Sequence, residues 1–126
     1  MKVLLDTHIL LWWLADDQRL PAQAAAAIAD PDTEVVVSAA SAWEISVKQA
    51  AGRLDTPEDL LDAVAANDFG TIAITLDHAM AAGALPLHHA DPFDRMLIAQ
   101  AQLEGFTLVS VDSRFSDYDV ELLPLG

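Results

Sequence analysis

Short apolar runs alternate with helix-like segments along this chain. Val3-Leu4-Leu5 is an apolar run closed by Asp6, and Glu34 to Ser38 encloses the β-branched triplet Val35-Val36-Val37. Thr107 to Val111 is the strongest strand, Thr71 to Ile74 is another, and Val120 to Leu123 is a weak last one. Runs this short and this continuously apolar suit strands buried on both faces. Between them lie helical segments. His8 to Ala15 is followed by the alanine-rich Pro21 to Ala29, which Asp30-Pro31-Asp32 breaks. Ser38 or Ser41 caps a helix that runs to Gly52, and Thr56-Pro57-Glu58 starts another that reaches about Asn67. Asp77 to Ala82 is a short helix stopped by Gly83. Asp91, Pro92 and Asp94 fall at N-cap, N1 and N3 of a helix that ends at Glu104-Gly105. Strands alternating with helices predict an α/β fold with a mostly parallel sheet covered on both faces.

The bulk properties narrow what such a fold does. The 126 residues, 53% of them apolar, make one domain spanning residues 1–126 with enough apolar mass for a core. The absence of cysteine excludes a disulfide scaffold, a zinc–thiolate site, an iron–sulfur cluster and a cysteine nucleophile. A formal charge of −14 argues against a generic electrostatic grip on nucleic acid or anionic lipid. Ile9 to Ala15 is too short to span a membrane, and Asp6 sits where the apolar region of an export signal would begin. The expectation is a soluble cytoplasmic protein with no membrane contact.

In a parallel sheet, the strand C-terminal ends and the helix starts that follow them share one edge, where ligands bind. Asp6 directly follows the first strand and Asp112 directly follows Thr107 to Val111. Glu44 is expected in the first turn of the helix after the Val35 strand, and Asp94 in the first turn of its own helix. Four carboxylates from distant parts of the chain are thus expected on one edge. Crowded carboxylates repel, and a divalent cation relieves the repulsion. Oxygen donors without a His or Cys pattern favour Mg²⁺ or Mn²⁺. Such ions activate water and neutralise charge in phosphodiester cleavage. Each acid alone also has a local reading: Asp6 as a turn residue, Glu44 as the i,i+4 partner of Lys48, Asp94 as a complement to the helix dipole. For Asp91 the capping reading is preferred. For His8, His88 and His89, surface or local capping is preferred to catalysis.

The segments LLDTHILLWWL, SAASAWEISVKQAAGRL, HHADPFDRMLIAQAQLEG and TLVSVDSRFSDY, in this order, resemble the PIN-domain ribonucleases, in particular the toxins of VapBC toxin–antitoxin pairs. The likeness runs from Val3 to Leu123. It implies a three-layer α/β/α sandwich with a central five-stranded parallel sheet. It also implies a metal-dependent endoribonuclease in which Asp6, Glu44, Asp94 and Asp112 bind Mg²⁺ or Mn²⁺ and activate water for RNA hydrolysis. Further implications are a homodimer and a small VapB-like antitoxin that blocks the crevice. Many PIN domains carry Asp-Thr-Asn where this chain has Asp6-Thr7-His8, which leaves the work of His8 open beside that of Thr7. Ser110 matches the family's polar residue near the last strand, placed to hold a metal-bound water or orient Asp112.

Six basic residues stand against twenty acids, and three of them neighbour site acids: Lys48, Arg95 and Arg114. They are candidates for contacts with RNA phosphates, with plain charge pairing as the competing reading. Two other acid-dependent classes fail on their own motifs. A HAD-like phosphatase needs an Asp where His8 stands. A receiver domain needs an acidic pair at the first strand. The remaining rival is a catalytically silent PIN-like module that binds RNA or protein.

Overall fold

The computed structural model describes residues 1–52 and 59–125. The helix start expected at Thr56-Pro57-Glu58 lies outside them. Four strands form one sheet: β1 (Lys2–Leu5), β2 (Glu34–Ser38), β3 (Gly70–Ile72) and β4 (Thr107–Val109). Every pairing is parallel and the spatial order is β3-β2-β1-β4. Val3 lies opposite Val35 on one side, and Leu5 opposite Val109 on the other.

The helices are α1 (Thr7–Leu14), α2 (Ala22–Ala29), α3 (Ala39–Ala50), α4 (Leu60–Ala66), α5 (Leu76–Ala84) and α6 (Pro92–Glu104). Their ends follow local chemistry. Ser38 caps α3 through the Ala40 N–H, and Asp91 caps α6 through the N–H groups of Phe93 and Asp94. Pro92 occupies the first turn of α6, and Gly105 closes it at φ +74°, a left-handed value natural to glycine. Gly83 does not stop α5, which continues to Ala84, because Arg95 satisfies the terminal carbonyls from outside the helix.

Strand side chains alternate between two cores. Val3, Leu5, Val35, Val37 and Val109 pack with Ile9, Leu10, Ala24 and Ile28 beneath α1 and α2. Leu4, Val36 and Leu108 pack on the opposite face with Leu97, Ile98 and Ala101 of α6. This is the expected α/β/α layering. The expected fifth strand at Val120 to Leu123 is reduced to one parallel bridge between Leu122 and Leu108. Leu108 N–H donates to Glu121 and Leu123 N–H donates to Leu108. Among the described residues the pairing goes no further than this bridge. Among the described residues, no helix is long and apolar enough to cross a membrane.

The chain moves outward from β1 to β2 to β3, then returns to place β4 on the far side of β1. The order therefore reverses between β1 and β4, which opens a crevice at their C-terminal ends. Asp6 and Asp112 follow those two strands.

Candidate metal centre

Asp6 leaves β1 and caps α1, its Oδ1 accepting the Ile9 N–H at 2.8 Å. The carboxyl is buried, which raises its pKa. Hydrogen bonds from Ser110 and Ile9 and the nearby His8 oppose that rise, and Glu44 adds to it. Ser110 Oγ also accepts the Asp112 N–H at 3.0 Å, so one hydroxyl links the ends of β1 and β4.

Glu44 stands in the second turn of α3 and not the first, because α3 begins at Ala39. It remains at the crevice and is 3% exposed. The Thr7 hydroxyl donates to its Oε1 at 2.7 Å, and Lys48 pairs with its Oε2 from the next turn. Thr7 Oγ1 also pairs with Ser41 Oγ at 3.0 Å. Thr7 is thus a buried strut between α1 and α3. His8 is exposed, with its ring 5.9 Å from that of Trp12.

Asp94 faces the same space from the first turn of α6. Burial, and then the charges of Asp91, Glu44, Asp6 and Asp112, push its pKa up to about 7. All four sequence-expected acids therefore lie within electrostatic reach of one another. Asp112 behaves in the opposite way. Arg114 grips both of its carboxylate oxygens, at 2.8 and 3.1 Å, and holds its pKa down to about 2.

His89 was not favoured as a site residue, yet it completes the tightest cluster. It is 2% exposed, and its Nε2 lies 2.9 Å from Asp94 Oδ2 and 3.3 Å from Asp112 Oδ2. Neither oxygen lies along the ring N–H axis, so Nε2 is a buried polar atom without a hydrogen-bond partner. His89, Asp94 and Asp112 each offer one donor atom, and these lie within 4.8 Å of one another. The sequence hides this because His89 is placed by distant residues. The Tyr118 hydroxyl accepts the His88 and His89 N–H groups at 3.1 and 2.8 Å. The only local signal is the dense run His88-His89-Ala90-Asp91. His88 itself is exposed, with its ring against Tyr118.

The three basic candidates have separate fates. Arg95 does not face the crevice. It is buried, and its guanidinium donates to the carbonyls of Ala82, Gly83, Leu85, Pro86 and His89 at 2.9–3.4 Å. It therefore caps the C-terminus of α5 with both terminal guanidinium nitrogens committed to carbonyls. Lys48 is committed to Glu44 but partly open to solvent. Arg114 is paired with Asp112 at the surface. At the rim, Trp43 is 60% exposed and meets Phe93 edge-on at 5.0 Å. These aromatics directly precede Glu44 and Asp94 in sequence.

A parallel sheet with acids converging at its switch point defines an α/β protein with an acidic cluster able to bind a metal ion. The orphaned Nε2 and the raised Asp94 pKa fit such an ion, because both mark charge and polarity that the protein alone leaves uncompensated. The chain belongs to the PIN-domain family, whose model matches residues 3–121. It is 35% identical over 119 residues to Ribonuclease VapC22 of Mycobacterium tuberculosis, covering 92% of this chain and 91% of that protein. Its fold is similar to a toxin–antitoxin complex from Klebsiella pneumoniae, with a TM-score of 0.68, 22% identity and 97% of each chain covered. It is also similar to VapBC2 from Rickettsia felis, crystallised on a DNA fragment from its promoter, with a TM-score of 0.65, 14% identity and 98% of each chain covered. Family membership implies use of a divalent metal, and the acidic cluster is able to bind one.

Proposed function

We propose that this chain is a metal-dependent endoribonuclease and the toxin of a toxin–antitoxin pair, with residues 1–126 forming one PIN domain. The carrying observation is the convergence of four carboxylates from the end of β1, α3, α6 and the end of β4; burial, and then the charges of Asp91, Glu44, Asp6 and Asp112, raise Asp94 to about 7. The 35% identity to a ribonuclease along nearly the whole chain supports the same reading.

Asp6, Glu44, Asp94 and Asp112 are the residues that would hold the cation, and their oxygen donors suit Mg²⁺ or Mn²⁺. When bound, that ion supplies an acidified water and charge neutralisation at the scissile phosphate. The protein's own residues set the stage for this chemistry. Thr7 and Lys48 fix Glu44 in one orientation, and Ser110 ties Asp6 to the Asp112 backbone. Arg114 is the exposed cation beside the acids and contacts a substrate phosphate once it leaves Asp112. His8 lies at the solvent side of Asp6 and meets the RNA rather than the metal. The exposed face of Trp43 gives an unpaired base a stacking surface next to the acids.

The partner is a small VapB-like antitoxin, in keeping with toxin–antitoxin complexes among the structural relatives. The toxin itself is a homodimer that works in the cytoplasm. A second reading, a silent binding module, draws on the Arg114 grip that already occupies Asp112. Cleavage of total RNA by the purified protein with Mg²⁺, Mn²⁺ or EDTA separates the two. Metal-dependent cutting that Asp6→Asn lacks supports the nuclease. Cation binding with no cutting of any RNA, in protein shown to be free of antitoxin, supports the module.

A further inference from the structure

We infer that Tyr118 is a positioning residue whose hydroxyl sets the spacing of Asp94 and Asp112. This rests on the cation-site reading above and deepens it. The two carboxylates come from separate segments. Asp94 lies in the first turn of α6, whereas Asp112 follows β4 and caps a short 3₁₀ turn over Ser113–Asp117. Tyr118 ends that turn, and its hydroxyl reaches across to the loop that leads into α6. The hydroxyl accepts the His88 and His89 N–H groups at 3.1 and 2.8 Å and donates to the Pro86 carbonyl at 2.6 Å. One proton given and two N–H groups accepted use the hydroxyl in full, so its work is to hold backbone. The side chain is buried, which makes those bonds costly to break.

Both ends of this tie are stiff. On the Asp112 side, the Phe115 N–H donates to the Asp112 carbonyl and the Tyr118 N–H donates to the Phe115 carbonyl, each at 3.2 Å. Phe115 is itself buried, with its ring edge-on to that of His89 at 5.9 Å between centroids. On the Asp94 side, Arg95 donates to the Pro86 and His89 carbonyls at 2.9 and 3.2 Å. Asp91 then starts α6 by accepting the Phe93 and Asp94 N–H groups. A rigid path therefore runs from Asp112 through Tyr118 and the 86–91 loop to Asp94. Like charge drives the two carboxylates apart. The hydroxyl joins the segments that carry them, and one oxygen of each lies within 4.8 Å of the other. That is near the span of two oxygens on one divalent cation. The spacing is thus set by the protein before a cation arrives.

The test is calorimetric Mn²⁺ titration of the full chain, native and Tyr118→Phe, with melting of both in the absence of metal. Tyr118→Phe keeps the ring against His88 and removes only the oxygen. Removing a group that orients metal ligands commonly weakens affinity by roughly 10- to 100-fold. Tyr118→Phe is expected to bind Mn²⁺ about tenfold or more weakly than the native protein. Ile28→Val, a truncation in the opposite core, is expected to lower the melting temperature and leave Mn²⁺ affinity unchanged. By reciprocity, a tie that strengthens cation binding is itself strengthened by the cation. Mg²⁺ is therefore expected to slow exchange of the His88 and His89 amide protons in the native protein, a measurement that needs no variant to fold. Native Mn²⁺ affinity in Tyr118→Phe, or equal losses in it and in Ile28→Val, overturns the proposal and leaves the cation site standing. Amide exchange that Mg²⁺ does not slow does the same. Failure of the native protein to bind Mn²⁺ overturns the cation-site reading and the proposal with it.

Discussion

The two halves of the acid cluster are built differently. On the β1/α3 side, Asp6 and Glu44 are almost fully buried, yet their oxygens are met by Ile9, Ser110, Thr7 and Lys48. On the β4/α6 side, Asp94 has the off-axis His89 contact and sits among like charges, while Asp112 leans on an exposed arginine. The first half is largely satisfied by the protein's own donors. The second leaves electrostatic repulsion unrelieved, which is where a cation gains most. A buried acid already met by donors is oriented before a ligand arrives, whereas one facing other acids gains most from the ligand's charge.

If this contrast holds, substitutions in the second half change function and spare the fold. Asp94→Asn removes a repelled carboxylate. RNA cleavage is expected to fall at least about a hundredfold, as for loss of a transition-state electrostatic group. The metal-free variant should melt at or above the native temperature near neutral pH. Residual cutting near the native rate would remove Asp94 from the site.

Arg95→Met tests the opposite expectation at the neighbouring position. The change leaves five carbonyls that now face a guanidinium without that donor. A loss of roughly 3 kcal/mol in denaturant-monitored stability is expected, at the upper end for a hydrogen-bonded charged group. A stable variant with weakened RNA binding would instead restore the phosphate-contact reading.

The halves should also separate by pH. Asp94 titrates near 7 when folded and near 4 when unfolded. Its protonated form favours the folded state, so that contribution is full below about pH 4 and is lost as pH rises to about 7. Asp112, lowered to about 2, works in reverse and loses its contribution as pH falls from about 4 toward 2. Melting the metal-free native protein and Asp94→Asn across pH 4–8 should show a native decline that the variant lacks. Parallel curves would contradict the assigned Asp94 environment.

The smallest expected effect is that of Thr7→Val. It removes the hydroxyl that joins Glu44 and Ser41, with a stability loss of about 1–2 kcal/mol. Cleavage should fall modestly through misorientation of Glu44. A larger effect on cleavage than that of Asp94→Asn would invert the contrast between the halves.

Much of the frame was legible because its signals are local. The triplets Val3-Leu4-Leu5 and Val35-Val36-Val37 mark strands, and Ser38, Asp91, Pro92 and Gly105 mark helix ends. Strand ends alone put Asp6 and Asp112 on one edge of the sheet. Glu44 slipped by a turn because cap geometry, and not the strand's end alone, sets where α3 begins. The surroundings of His89 and Arg95 escape sequence reasoning for a shared reason. Their roles depend on each other and on the end of α5, and His89 depends further on Tyr118, near the other end of the chain. No spacing rule encodes such contacts. The fifth strand shrinks to one bridge because backbone pairing decides it, and apolar character alone does not encode that pairing.

Mn²⁺ titration of the native protein and of Asp94→Asn, each at pH 6 and pH 8, tests the central claim most directly. The account predicts native binding that weakens at pH 6, where the Asp94 proton competes, and almost no binding by the variant at either pH. Equal binding by the two proteins would show that the acids at the switch point are not the cation site.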